Sequence, residues 1–269
     1  MTNTKFRKRV LLSSVAMLLV ALVALGSATF AWFTQSTSAT ASGINVQTAQ
    51  ASNLQISKND LSWGRTVDYQ TTATFEPASS ADGTNWYTAE AGARDNFAKK
   101  SDTNFNALTA ANKSSYVFEE SLNVKNAGAA SVTNVKISFG ISENYTNSGK
   151  YYVRVALVPM TPSTDPANEQ QMAALYPTAA DFQASVYDVQ GVAYNAVDST
   201  TTASTSITPT AASSSVDVTV GTGTLASGDI KYFKLYVWFE GQDVDCYADN
   251  AGNALPTIQF SVTGTTSQS

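Results

Sequence analysis

Histidine is absent from the 269 residues. Its absence excludes a HExxH zinc peptidase, a Ser-His-Asp triad and a Cys-His pair, since each needs imidazole as ligand or base. One cysteine, Cys246, is present, so no intramolecular disulfide forms and stability has to come from packing and sheet hydrogen bonds. A buried thiol is the ordinary state of such a residue, and an intermolecular bridge is the alternative for a cysteine with no internal mate. Positive charge is scarce beyond the N-terminus. Residues 32–269 carry 12 basic and 21 acidic side chains, a net charge of −9, which argues against nucleic acid or an anionic surface as partner. Glu119 and Glu120 are adjacent in a β-like run, so they face opposite ways and make no dyad. No other carboxylate pair is singled out for glycoside hydrolysis. No enzymatic activity and no cofactor are expected from this set of groups.

Long apolar runs are also missing, with one exception. Residues 11–34, LLSSVAMLLVALVALGSATFAWFT, follow Lys5, Arg7, Lys8 and Arg9, the plan of an export signal with a basic start, an apolar body and small residues at its end. The expectation is a signal peptide over residues 1–31, cut by a signal peptidase between residues 28 and 33, with Ala28, Ala31 and Trp32 marking the region. A span of ~20 apolar residues also suits an anchor retained in the bilayer, and the leader is the one expected contact with membrane. Removing 31 residues leaves 238, enough for one β domain, expected over residues 43–269, or for two small ones. The chain is expected outside the cell, in a matrix or at the cell surface.

Behind the leader, Trp32, Phe33, Thr34, Gln35, Ser36, Thr37, Ser38, Ala39, Thr40 and Ala41 are mostly small or hydroxyl residues that extend freely and cannot fill a core, so residues 32–42 read as an arm. Ile44, Val46 and Thr48 then alternate with polar neighbours, and Leu54 and Ile56 continue the pattern, predicting a hairpin-like pair. Residues 59–115 lose that periodicity yet hold Trp63, Phe75, Trp86, Tyr87, Phe97 and Phe105. Aromatics at that density predict an insertion packed on the main body, with a short helix over residues 89–99. Three alternating runs follow, at 116–126, 135–141 and 151–157, and predict successive strands of one antiparallel sheet. Asp165 and Pro166 start a predicted helix ending at Leu175. Residues 182–197 predict a strand pair turned at Gly191, and the Ser/Thr/Ala tract 198–215 predicts an exposed loop. The run 230–240, IKYFKLYVWFE, is apolar on both faces and predicts a central strand covered on both sides. Ile258, Phe260 and Val262 close the domain. The fold class is all-β: a jelly-roll-like antiparallel β-sandwich with short helices in an insertion and in loops.

Carboxylates crowd the turn after the central strand. Asp243, Asp245 and Asp249, with Glu240 and Asn250, have the oxygen density of a Ca²⁺ site but not the spacing of an EF-hand loop. A solvated acidic turn is the alternative. Trp63, Trp86, Tyr87, Tyr151 and Tyr152 are the aromatics available for glycan stacking in a sugar-binding module, against ordinary roles in a core.

Two motifs carry a resemblance. The junction ATFAWFT, with its hydroxyl-rich arm and a strand entered through Ser42, Gly43 and Ile44, resembles the exported TasA and camelysin-like proteins of Gram-positive bacteria. The run Trp238, Phe239, Glu240, Gly241, Gln242 and Asp243, with Cys246 behind it, is similar to a C-terminal signature of SipW-dependent exported proteins. The VKNAG at residues 124–128 also fits. The resemblance does not account for residues 59–115 or 198–215. It implies a jelly-roll subunit that polymerises with itself into biofilm-matrix-type fibres, alone or with other matrix proteins. In that scheme a SipW-type signal peptidase cuts the leader, and the N-terminal segment of each copy completes the sheet of its neighbour. A monomeric surface adhesin is the other reading.

Overall fold

The structure is a computed structural model and describes residues 44–49, 53–69, 74–89, 105–141, 152–160, 178–212, 216–243, 245–246, 253–255 and 258–266. They belong to one compact unit, Ala41–Ser269. The described strands are β1 (Ile44–Ala49), β2 (Leu54–Ser57), β3 (Thr66–Tyr69), β4 (Thr74–Phe75), β5 (Ala78–Ser79), β6 (Tyr87–Thr88), β7 (Val117–Asn126), β8 (Val132–Ile141) and β9 (Val153–Met160). After helix α1 (Ala179–Ala184) come β10 (Val186–Asp188), β11 (Tyr194–Ala196), β12 (Thr205–Ile207), β13 (Thr210–Ala211), β14 (Val216–Thr219), β15 (Thr224–Leu225), β16 (Ile230–Phe239), β17 (Asn253–Ala254) and β18 (Ile258–Thr266).

Two sheets face each other. One runs β14-β8-β18-β1-β3 with β15 also on β8; the other runs β13-β10-β9-β16-β7-β2. Ile44, Val46, Ile137, Phe139 and Phe260 of the first share one core with Leu122, Val124, Val155, Leu235 and Val237 of the second, so the fold is an all-β sandwich. Burial follows the sequence pattern. Strand β18 alternates buried with open positions, as a strand with one wet face must. Strand β16 is buried from Tyr232 onward because a second layer covers its other face. There Trp86, α1 Phe182, β11 Tyr194 and β12 Ile207 pack on Tyr236 and Trp238. Of the aromatics of the expected insertion, Phe75, Trp86 and Phe105 are buried, Trp63 and Tyr87 are half-buried, and Phe97 lies outside the described residues. Within the expected insertion, β3 is part of the sandwich, pairing antiparallel with β1.

Pairing departs from the sequence reading in four places. Strands β1 and β2 are not a hairpin: β1 lies between β18, to which it is parallel, and β3, whereas β2 pairs with β7. Strands β7, β8 and β9 do not form one sheet either, since β8 crosses to the opposite layer. The chain turns that corner at the buried Asn126. Its Nδ2 donates to the carbonyls of Ala130 (2.8 Å), Leu225 (3.0 Å) and Ala226 (3.1 Å), and its Oδ1 accepts from Gly128 N. Phe182 lies in α1, capped by Thr178, and the following strands separate, β10 joining β9 and β11 pairing with β12. The tract 198–215 is not a loop throughout, for it contributes β12 and β13 and buries Ile207 and Ala212. Period-2 alternation states that a strand has an inner face but not which sheet holds it, and that is the common origin of these differences. One further detail extends the core. Asn134, at φ 52°, lies in a bulge of β8 between the pairs Thr133–Thr265 and Lys136–Thr263, so Val132 and Val135 are both buried despite their odd spacing. The expected helix at 165–175 and nearly all of that at 89–99 lie outside the described residues.

Candidate functional site

The two ends of the motif from Trp238 to Cys246 are held by different layers. Strand β16 delivers Trp238 outward and is followed by Glu240, whose N–H donates to Tyr152 O (2.8 Å). Gly241 N donates to Ala78 O (3.1 Å), and a Cβ on Gly241 would stand 2.1 Å from Ala89 O. Only glycine permits that approach, and through it the turn pins residues 78–89 to the sandwich. Asp243 N and Cys246 N then close successive turns on Glu240 O and Asp243 O. Cys246 is buried in the main core and in no disulfide.

Two carboxylates of this turn, Glu240 and Asp243, are withdrawn from water. Glu240 is completely buried: its Oε2 accepts from Trp238 Nε1 (3.0 Å) and its Oε1 from Gln242 N (3.0 Å). Ser79, whose hydroxyl also accepts from Val197 N (3.0 Å), hydrogen-bonds to the same carboxylate. Asp243 binds Arg154 Nη2 through Oδ2 and accepts Asp245 N through Oδ1. Arg154, on β9, is itself fully buried; its Nη1 lies 3.4 Å from Asp188 Oδ2 and its guanidinium 5.0 Å from the Tyr194 ring centroid. Asp188 Oδ1 in turn accepts Gln190 N and Gly191 N. One guanidinium thus ties the turn after β16 to the turn after β10, because β9 lies between β10 and β16 in the sheet.

Electrostatics follow from this burial. Removal from water would push the Arg154 guanidinium down, but Asp243 and then Asp188 more than offset it, so its pKa lies above the ordinary arginine value. Burial pushes the Glu240 carboxyl up to about 7, against donors from Trp238, Gln242 and Ser79 and the nearby Arg154 charge. Asp245 is raised too, by burial and then by Asp243. A carboxyl held above its unfolded value stabilises fully below that value and loses the contribution as pH rises through the folded one. Wild-type protein is therefore expected to lose about 3 kcal/mol between pH 4.5 and 8 from Glu240 alone, at ~1.4 kcal/mol per pH unit between the two values. Urea unfolding of Glu240→Gln across that range tests it: the variant should lack this decline, and parallel profiles would refute the assignment.

Of the expected calcium ligands, Asp243 faces a guanidinium, Asp245 is half-buried beside it, and Asp249 lies outside the described residues. Among the described residues no group of three or more Asp, Glu, Cys or His side chains is placed to hold a metal ion. Of the aromatics available for glycan stacking, Trp86 and Tyr152 are buried, Trp63 and Tyr87 are half-buried, and Tyr151 is outside the described residues. Lys125 Nζ stands 5.4 Å from the centre of the Trp63 ring. Ala28, Ala31 and residues 32–41 are likewise outside. Sequence reading missed Arg154, Asp188, Tyr194 and Ser79. A signal existed for Arg154, the one charge in YYVRVALV, a strand otherwise fit for burial on both faces.

Fold and site together define a two-sheet β-sandwich whose outer layer is locked on by a buried arginine and carboxylate knot. No family model, curated protein or solved structure matches the chain.

Proposed function

We propose that the chain is an exported structural subunit that polymerises into extracellular fibres of the biofilm-matrix type, residues 32–41 of one copy adding as a strand to a sheet edge of the next. The resemblance to TasA and camelysin-like proteins supports the class, and one observation supports the mechanism. Among the described residues the β14 edge leaves core-facing apolar residues half-covered. Val216 and Val218 point to the main core yet are only half-buried, whereas Val67 and Tyr69 on the β3 edge and Leu54 and Ile56 on the β2 edge are buried. An edge with unpaired backbone groups and half-covered valines gains both main-chain hydrogen bonds and apolar burial from an added strand. Ten extended residues reach ~33 Å, the length of the ten-residue β8 beneath that edge. Trp32 and Phe33 supply the large apolar surface of the arm. The leader delays the event, since the arm is free only after the cut.

Deleting residues 32–41 from the mature chain, and separately Val218→Lys on the edge, should each abolish fibres in negative-stain microscopy while circular dichroism keeps the β signal. Fibres at wild-type density in both would refute the mechanism. Wild-type protein that stays monomeric would refute the class and favour a surface adhesin.

A further inference from the structure

A polar cleft of about 160 Å³ lies where the β11 and β12 hairpin meets the turn after β16, lined by Val192, Ala193, Tyr194, Asn195, Ser206, Gln242 and Asp243. Four of its polar side chains make no side-chain hydrogen bond among the described residues. The Tyr194 hydroxyl is buried without a hydrogen bond. Gln242 is 9% exposed, and its bond to Glu240 comes from the main chain, leaving its carboxamide unmatched. Asn195 and Ser206 stand opposite each other across the hairpin, exposed and bonded through backbone alone. Unmatched polar groups on residues as buried as Tyr194 and Gln242 are costly unless something completes them.

We propose that this cleft is a binding site for one ring of a neutral, hydroxyl-rich sugar, with Asn195, Ser206, Gln242 and Tyr194 as the hydrogen-bonding set. The site is separate from the β14 edge and does not depend on the assembly reading. Each ligand class makes a different demand on the lining. An anion would meet Asp243 in the wall, with Asp188 and Glu240 behind it and a single guanidinium against the three. An ammonium donates only, and would leave the amide donors of Asn195 and Gln242 without acceptors. A calcium ion needs six to eight oxygen ligands, while two of these side chains present NH₂ groups. A sugar hydroxyl both donates and accepts, as do the two carboxamides and the two hydroxyls that face it. Size agrees: a cavity of ~150 Å³ holds one six-membered ring. Val192, 49% exposed, and Ala193 give the rim an apolar wall for the C–H face of such a ring. Burial, with Glu240 next, keeps the Tyr194 phenol well above its ordinary pKa, so it stays a neutral donor and acceptor.

Saturation-transfer NMR on the full chain tests this with glucose, galactose, mannose and N-acetylglucosamine as probes, and putrescine as a charged control. At least one sugar should receive saturation, with a dissociation constant on the order of millimolar. The Asn195→Ala/Ser206→Ala variant should bind that sugar at least ~10-fold more weakly with an unchanged thermal midpoint, because both side chains are exposed. Gln242→Leu should bind it no better. No transfer to any of the four sugars at ~10 mM, equal binding by the double variant, or tighter binding of putrescine than of every sugar would each overturn the proposal. Should Gln242→Leu fail to fold, the exposed double variant carries the test alone.

Discussion

Arg154→Met is expected to lower the unfolding free energy by about 3–5 kcal/mol, because it strands two carboxylates in a site that excludes water. Asp243 loses its cation outright and Asp188 loses the group 3.4 Å away. Surface ion pairs are typically worth less than ~1 kcal/mol, so the large effect is specific to burial: the Arg154 side chain is fully covered, and those of Asp188 and Asp243 are 1% and 8% exposed. A companion variant separates charge from shape. Adding Asp188→Asn and Asp243→Asn to Arg154→Met keeps the Oδ1 acceptors used by Gly191 and Asp245 while removing both unpaired charges. It should recover most of the loss, since a neutral replacement of a buried ion pair is often close to isoenergetic. Guanidinium or urea melts of the three proteins decide the matter. A single variant within ~1 kcal/mol of wild type would show that the guanidinium does not hold these turns together.

The second large effect is expected at Trp238. Its ring stacks on Phe182 at 5.8 Å between centroids and meets Trp86 edge-on at 5.2 Å, and it is completely buried. Trp238→Ala opens a cavity under the outer layer, at a cost of about 3–5 kcal/mol, and takes one donor from Glu240. Trp238→Phe keeps an aromatic ring and removes the donor, so about 1–3 kcal/mol is expected from the unmatched carboxylate. Because Trp238 Nε1 favours the ionised form of Glu240, both variants should also move the Glu240 titration to higher pH. Equal losses in the two variants would mean that packing matters less than the hydrogen bond, contrary to the geometry. These two experiments bear on function through the fold: Trp238, Glu240 and Gly241 attach residues 78–89 to the sandwich and so set the surface that any assembly presents.

Several elements were legible because local chemistry determines them. The alternation in β18 and the two apolar faces of β16 follow from the side-chain period of a strand, and both were read with their correct faces. The aromatics between residues 59 and 115 implied a packed segment, since rings of that size are not left in water at such density. The motif from Trp238 to Cys246 was singled out, but its chemistry was not: four carboxylate or amide side chains in a turn look alike whether they bind calcium, face water or close on an arginine. The decision rests with Arg154 and Asp188, which lie far away in the chain and reach the turn only because β9 is flanked by β10 and β16.

That division is general to this chain. By itself the sequence determined the class of secondary structure, the inner face of the long strands, the want of histidine chemistry and the single thiol, all of which depend on residues at most a few positions apart or on composition. Tertiary structure alone decided which sheet takes each strand, why β1 runs parallel to β18, and that Glu240 and Asp243 are buried partners instead of exposed ligands. Strand pairing is set by contacts across the core and by corners such as Asn126, and a period of two carries no record of either.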